Sequence, residues 1–153
     1  MGEVLTLENA LRHRASARVR GMTFVFTNGC FDLIHPGHVA LLREARKQGH
    51  FLMVGINSDR SVRGLKGKGR PVQNEADRAE VLAAMRDVDA VVVFDEETPA
   101  KIVEALEPDV LVKGGDYTLE DVVGREVVEK GGGRVHIVPL VEGKSSSALA
   151  GKV

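Results

Sequence analysis

Five short apolar segments recur at regular intervals along the chain, and they limit its possible folds more than any other feature. Most are continuously apolar and rich in β-branched residues, which is typical of strands buried on both faces of a parallel sheet. We predict strands at residues 23–27, 51–56, 90–94, 110–112 and 135–138. This pattern indicates the α/β class, with one open parallel sheet of about five strands.

Segments with helical patterning lie between the predicted strands and support this class. We predict these helices at residues 37–48, 75–86, 99–106 and 119–130. Near the start of the chain, Leu7, Leu11 and Ala15 have helical spacing, and Thr6 is suited to be an N-cap. Residues 1–20 are therefore expected to hold a helix, over 6–18, that packs on a single domain formed by residues 21–153.

Length and composition exclude several classes of function. The 153 residues correspond to about one domain, and 21 basic against 22 acidic residues leave a net charge of −1. This balance does not favour binding to nucleic acid, and no apolar run reaches the roughly 20 residues of a membrane helix. A single cysteine, Cys30, cannot form an intramolecular disulfide. We expect a cytoplasmic protein whose partners are neither nucleic acids nor membranes.

The segment after the first predicted strand carries the strongest chemical signal. Ligands of open α/β sheets bind at the carboxyl ends of the strands, and here the strand ends in the turn-forming pair Asn28-Gly29. His35-Pro36-Gly37-His38 then opens a helix, whose free N–H groups can bind a phosphate. Two imidazole donors at that point would stabilise charge on a phosphate during transfer. A zinc site is disfavoured because no third ligand lies nearby.

A run of cations follows the second predicted strand. Residues 60–70 contain no acid and include Arg60, Arg63, Lys66, Lys68 and Arg70. Because three glycines interrupt the run, we predict a mobile loop that closes over a polyphosphate, with Lys66 as the first candidate ligand and Arg70 as the second. A solvated loop is the alternative.

Three further features leave alternatives open. Residues 113–117, Lys-Gly-Gly-Asp-Tyr, would admit a base or sugar edge to the backbone, or they form an ordinary turn. Residues 143–147, Gly-Lys-Ser-Ser-Ser, do not fit a Walker A loop because position 138 is valine; they either bind a second phosphate or cap a helix. Arg78 either faces the site or pairs with Asp77 or Glu80.

Residues 29–38 resemble the G-x-F-D-x-x-H-x-G-H signature of the nucleotidyltransferase superfamily. Residues 57–59, 65–67, 70–72 and 112–117 extend the similarity, so that residues 20–150 resemble the adenylyltransferase domains of ADP-heptose synthases, which are cytidylyltransferase-like. The resemblance implies a Rossmann-like nucleotidyltransferase fold. It also implies that ATP and D-glycero-β-D-manno-heptose 1-phosphate give ADP-heptose and pyrophosphate, with Mg²⁺ held mainly through the ATP phosphates.

The resemblance also implies roles for individual residues. The catalytic residues would be His35, His38 and Lys66. The nucleotide would contact Thr27, Asn28, Gly29, Phe31, His35, His38, Lys113, Gly114, Asp116, Ser145, Ser146 and Ser147. The sugar phosphate would contact Asp32, Asn57, Asp59, Lys66, Arg70 and Tyr117. The three serines stand where the family has Ser-Thr-Thr, and no side chain is expected to be a firm metal ligand, with Asp32 only a weak candidate.

Many family members carry this domain behind a sugar kinase, so we expect a separate sugar kinase here, and a homodimer. Two alternative functions remain open. One is a CTP-dependent cytidylyltransferase that acts on an alcohol phosphate such as glycerol 3-phosphate. The other is a nucleotide-binding module without catalysis, which the intact His35, His38 and Lys66 argue against.

Overall fold

Six parallel strands form one sheet in the computed structural model, which describes residues 2–139. The strands are β1 (Glu3–Leu5), β2 (Phe24–Gly29), β3 (Phe51–Asn57), β4 (Ala90–Phe94), β5 (Val110–Gly114) and β6 (Arg134–Val138). Their spatial order is β1-β4-β3-β2-β5-β6, and every neighbouring pair is parallel. The predicted α/β class and open parallel sheet are confirmed.

Helices cover both faces of the sheet. They are α1 (Leu7–Val19), α2 (Pro36–Arg46), α3 (Asp59–Lys66), α4 (Glu75–Ala83), α5 (Ala100–Leu106) and α6 (Arg125–Lys130). Helices α2 and α4 contribute to the core on one face, and α1, α5 and α6 contribute to the core on the other. This two-sided burial explains why the strands are continuously apolar. Within residues 2–139, no helix is long and apolar enough to cross a membrane.

The structure differs from the predicted elements at three places. The short edge strand β1 pairs with β4 and escaped prediction because its apolar run is only two residues long. Residues 59–66 of the predicted cationic loop form helix α3, which Ser58 caps by accepting from the Ser61 N–H. The helix predicted over 119–130 is a 3₁₀ turn at Leu119–Asp121 followed by α6, because Gly124 takes a left-handed conformation between them.

The order of the strands places a crevice beside β2. The connection from β2 to β3 runs through α2 on one face, and the connection from β4 to β5 runs through α5 on the opposite face. The winding therefore reverses between β2 and β5, and ligands of open α/β sheets bind at such a point. The predicted candidate residues that follow β2, β3 and β5 all lie at the carboxyl-end edge of the sheet, beside this crevice.

Candidate functional site

The end of β2 is packed tightly against its surroundings. Thr27 is fully buried, and its hydroxyl donates to the Val112 carbonyl at 2.8 Å, which joins β2 to β5 at the crevice. Phe31 is also buried, with a backbone φ of 48° and its ring centroid 5.0 Å from that of His38. A Cβ at Gly29 would lie only 3.1 Å from the Phe31 ring. Thr27 and Phe31 thus shape the site, while Asn28 and Gly29 are partly accessible.

The two histidines at the start of α2 are oriented by reciprocal backbone hydrogen bonds. His35 is the N-cap, and its Nδ1 accepts from the Gly37 N–H at 3.1 Å. The Nδ1 of His38 accepts from the His35 N–H at 3.2 Å, and the two ring centroids are 3.8 Å apart. Because Nδ1 is the acceptor in both rings, the proton of each neutral imidazole is on Nε2. The Nδ1 atom of each ring is therefore committed to the backbone, and Nε2 is the nitrogen that carries the N–H donor.

His38 is neutral at physiological pH. Its pKa is lowered from 6.5 to about 4, mainly by burial and to a smaller extent by the nearby charges of His35 and Lys66. A neutral ring with its proton on Nε2 can donate a hydrogen bond to an anion without first losing or gaining a proton. This state suits stabilisation of developing negative charge more than proton transfer from an imidazolium.

Lys66 lies in the last turn of α3, exposed to solvent and close enough to His38 for its charge to lower the pKa of that ring. Its charge also acts to lower the pKa of the Cys30 thiol, although burial of Cys30 has the larger effect and raises it. The predicted cation at this position is therefore within electrostatic range of His38. Arg60, in contrast, pairs with Asp95 at the other end of α3.

Asp32 is fully buried and holds the loop that follows α3, residues 67–74. Its carboxylate accepts from Arg70 Nε at 2.7 Å and from the backbone N–H groups of Val72 and Gln73 at 2.8 and 2.9 Å. Burial raises its pKa, but the bonds from Gln73, Val72 and Arg70 outweigh burial and hold the pKa below 3.8. This geometry favours a loop-holding role for Asp32 over the predicted contact with substrate or metal.

Arg70 retains one donor that could serve a ligand. Its Nε is bound to Asp32, but its Nη2 is buried and has no hydrogen-bond partner within residues 2–139. An unpaired buried donor costs free energy, and an anion placed against it would remove that cost. The predicted role of Arg70 as a phosphate ligand therefore has a physical basis.

Arg78 is a central residue that the sequence left undecided. Its guanidinium is fully buried and pairs with Asp59 at 2.8 Å, not with Asp77 or Glu80. Asn57, which the resemblance predicts to contact the sugar phosphate, is buried and donates from Nδ2 to Ser61 Oγ at 2.8 Å, and its contact with substrate stays a prediction. A helical signal could have placed Arg78 inside, because it lies four residues before the buried Leu82 on the same face of α4.

A cavity of about 110 Å³ opens on the β5 side of the crevice. It is lined by Asn28, Pro99, Leu111, Lys113, Tyr117, Asp121, Val122 and Val123. The Lys113 Nζ lies 5.0 Å from the centre of the Tyr117 ring, and burial lowers the pKa of this lysine. Gly114 faces Leu41 of α2, and Asp116 is exposed at the rim. Of residues 113–117, Lys113 and Tyr117 therefore line the cavity.

Comparison with known proteins identifies the family. The model of the cytidylyltransferase-like family matches residues 26–142. The chain belongs to this family. The bifunctional protein HldE of Mesorhizobium japonicum is 55% identical over 150 residues, which cover 98% of this chain and 30% of that protein. HldE of Geotalea uraniireducens is 58% identical over 136 residues, covering 89% of this chain and 28% of that protein. This cytidylyltransferase-like chain therefore spans about three tenths of the length of these curated relatives.

Solved structures support the same fold. A lipopolysaccharide core biosynthesis protein from Thermoplasma volcanium has a TM-score of 0.65 at 29% identity, over 81% of this chain and 100% of that one. A pantoate-β-alanine ligase from Francisella tularensis, complexed with β,γ ATP and β-alanine, has a TM-score of 0.66 at 13% identity, over 96% of this chain and 69% of that one. The second likeness shows the shared fold alone. The predicted nucleotidyltransferase fold is confirmed.

The serine contacts with nucleotide and the metal site are the remaining predicted features of this cytidylyltransferase-like domain. Ser145, Ser146 and Ser147 lie outside the described residues, so their contact with nucleotide stays a prediction. Within residues 2–139, no three His, Cys, Asp or Glu side chains are grouped so that they could hold a metal ion. The ligands around the crevice are imidazole, lysine and arginine donors, which fit phosphate oxygens better than a divalent cation.

Proposed function

We propose that this domain transfers AMP from ATP to a sugar 1-phosphate, D-glycero-β-D-manno-heptose 1-phosphate, to form ADP-heptose and pyrophosphate. The observation that carries the proposal is the pair His35 and His38, whose rings lie 3.8 Å apart at the N-terminus of α2, each with its Nδ1 bound to the backbone. Membership of the cytidylyltransferase-like family supports nucleotidyl transfer, and the likeness to HldE proteins agrees with the resemblance in the motifs.

The residues present match the demands of this reaction. A sugar phosphate oxygen forms a bond to the α-phosphorus of ATP, and the bond from that phosphorus to the bridging oxygen breaks, with pyrophosphate taking the electron pair. The attacking phosphate is already anionic at neutral pH, so no general base is required. Catalysis then depends on in-line positioning and on stabilising negative charge. His35, His38 and the N–H groups of α2 stabilise charge on the α-phosphate.

The cations after β3 complete the proposed phosphate site. Lys66 and the buried, unpartnered Nη2 of Arg70 bind the phosphates that carry the remaining negative charge. The family uses a divalent metal with its nucleotide, and Mg²⁺ would be held mainly through the ATP phosphates, where it supplies further neutralisation. This assignment agrees with the basic and imidazole character of the described site.

The β5 side of the crevice is proposed to hold the nonreacting parts of the substrates. Lys113, Gly114 and Asp116 flank the base or the sugar, and Tyr117 presents its ring to the sugar phosphate beside the 110 Å³ cavity. A homodimer and a cytoplasmic location stay predictions within this proposal.

The first experiment is calorimetric titration of the protein with ATP and, separately, with CTP, each with Mg²⁺. We expect a clear preference for ATP, followed by pyrophosphate release when the heptose 1-phosphate is added. A preference for CTP would instead assign the domain to an alcohol phosphate such as glycerol 3-phosphate. Absence of pyrophosphate release with either nucleotide and both acceptors would overturn the proposal in favour of a binding module.

A further inference from the structure

Arg78 joins four chain segments around the site although its own side chain is fully buried. Nη1 donates to the Cys30 carbonyl at 2.7 Å and to the Asn57 carbonyl at 2.8 Å. Nε donates to the Gln73 carbonyl at 3.0 Å, and Nη2 donates to Asp59 at 2.8 Å. The acceptors belong to the segment that leads from β2 to the histidines, the end of β3, the first residue of α3 and the loop after α3.

Arg78 and Asp32 hold the same loop residue from opposite sides. The Gln73 N–H donates to the Asp32 carboxylate at 2.9 Å, while the Gln73 carbonyl accepts from Arg78. Asp32 lies within the segment that leads to His35, and it also binds Arg70 of the loop. The two buried charged groups therefore fix the position of loop 67–74 relative to the histidine segment.

The network is not explained by stability alone. A buried ion pair often contributes little net stability, since the cost of removing both charges from water offsets their attraction. All four side-chain hydrogen bonds described for Arg78 go to the segments that carry or adjoin the proposed site residues. Only an arginine can satisfy these directions at once, because its planar guanidinium presents five N–H donors in a fixed geometry, whereas lysine offers three from one point.

We propose that Arg78 is a positioning residue for the transfer reaction, holding the segment that ends in His35 and His38 in register with the helix that carries Lys66. Because Asp59 begins α3 and Lys66 ends it, the pairing of Arg78 with Asp59 sets where the ammonium group stands. Arg78 itself does not touch the substrates. The reaction that it serves is the proposed one, so the inference rests on that function.

The test compares Arg78→Lys with a matched control, Arg14→Lys. Arg14 is also a buried arginine, and it donates to the carbonyls of Leu106 and Glu107 and to the Asp109 carboxylate. This second network joins α1 to the segment after α5, on the opposite face of the sheet from α2 and α4. Both substitutions keep the positive charge but replace the planar guanidinium with a single ammonium group. Both should therefore lower the melting temperature.

Hydrogen exchange and kinetics separate the two variants. In Arg78→Lys we expect amide exchange in residues 30–35 and 67–74 to be at least tenfold faster than in Arg14→Lys. We also expect kcat/KM to fall about 10- to 100-fold, since misplacement near 1 Å can cost that much, with kcat affected more than the KM for ATP. Arg14→Lys should keep kcat/KM within about twofold of the wild type, because its network does not reach the site.

Equal exchange in these two segments for both variants would overturn the inference, and so would faster exchange with unchanged kcat/KM. If Arg78→Lys does not fold, Asp59→Asn gives the same comparison with a smaller change, since its amide oxygen still accepts from Arg78. Exchange is measured without substrates. A wild type that releases no pyrophosphate therefore overturns the proposed function, whereas the exchange comparison decides the positioning separately.

Discussion

The start of α2 and the segment after β3 both supply groups to the proposed phosphate site, but they are held in different ways. His35 and His38 are oriented by bonds that span two or three residues of the chain. The cationic segment, residues 59–74, is held by the bond from Arg70 to Asp32, 38 positions away, and by the bond from Arg78 to Asp59, 19 positions away. Local helix capping therefore orients the imidazole donors, whereas tertiary contacts between distant residues position the segment that carries the cations.

This comparison predicts that a change at α2 affects rate alone, and the largest effect is expected there. His38→Ala should lower kcat about 100- to 1,000-fold, the usual cost of removing one donor that stabilises transition-state charge. Its melting temperature at pH 7 should stay close to that of the wild type, because the hydrogen bond and the two ring contacts that are lost all lie within residues 31–38. Pyrophosphate release and circular dichroism are the measurements, with His13→Ala on α1 as the control. Wild-type turnover in a folded His38→Ala protein would contradict the assignment.

Removing a tertiary contact that holds the cationic segment should reduce stability, and Asp32→Asn tests this. Removing one partner of a buried ion pair costs about 3–5 kcal/mol of unfolding free energy, measured by urea unfolding at pH 7. Because the folded pKa of Asp32 lies below 3.8, the difference from the wild type should hold above that pH. It should shrink as the pH falls through the folded pKa, when the wild type also loses the charge.

Asp95→Asn is the control for this loss. Asp95 is exposed and accepts from Ser58 and Arg60, and exposed pairs contribute about 1 kcal/mol or less. An equal loss of stability in the two variants would remove the distinction between the buried loop anchor and a surface pair.

Lys66→Met should sharpen the comparison within the cationic segment. We expect kcat/KM to fall about tenfold, since one charge-assisted contact to phosphate contributes about 1.5–3 kcal/mol when hydrogen-bonded and less when exposed. Stability should not change, because Lys66 is exposed. Lys68→Met is the matched control, two residues further along and beyond the end of α3. Steady-state kinetics that show equal losses for both lysines would favour a general effect of charge over a placed ligand.

The smallest expected effect is a pH dependence at α2. Between pH 6.5 and about 4 the folded state holds His38 neutral while the unfolded chain protonates it. The wild type should therefore lose stability as the pH falls through this window. His38→Asn, whose amide oxygen can replace Nδ1 as acceptor, should lack this component. Unfolding free energies at several pH values check it, and parallel curves for the two proteins would contradict the lowered pKa.

The same contrast explains what the sequence could and could not predict. The strands and the start of α2 were predictable, because burial on both faces and a Pro-Gly helix start leave local patterns. Helix α3 had a readable signal in the Ser58 N-cap and the apolar spacing of Val62 and Leu65, but the cations and glycines of residues 60–70 favoured a loop. The partners of Asp32 and Arg78 could not be predicted, since they are set by tertiary contacts between distant residues.

The reactivity of the Cys30 thiol offers a measure of how often the chain around the site opens. It is the single cysteine of the chain, half-buried, with its Sγ 3.8 Å from Asn57 Oδ1, and its carbonyl is held by Arg78. Burial raises the pKa of the thiol more than Lys66, Arg78 and Arg70 lower it, so the thiol of the folded protein should react slowly with thiol reagents. The rate at which a thiol reagent labels Cys30 in the unaltered protein would then depend on how often residues 30–35 open. Slower labelling in the presence of nucleotide would show that nucleotide occupies the site.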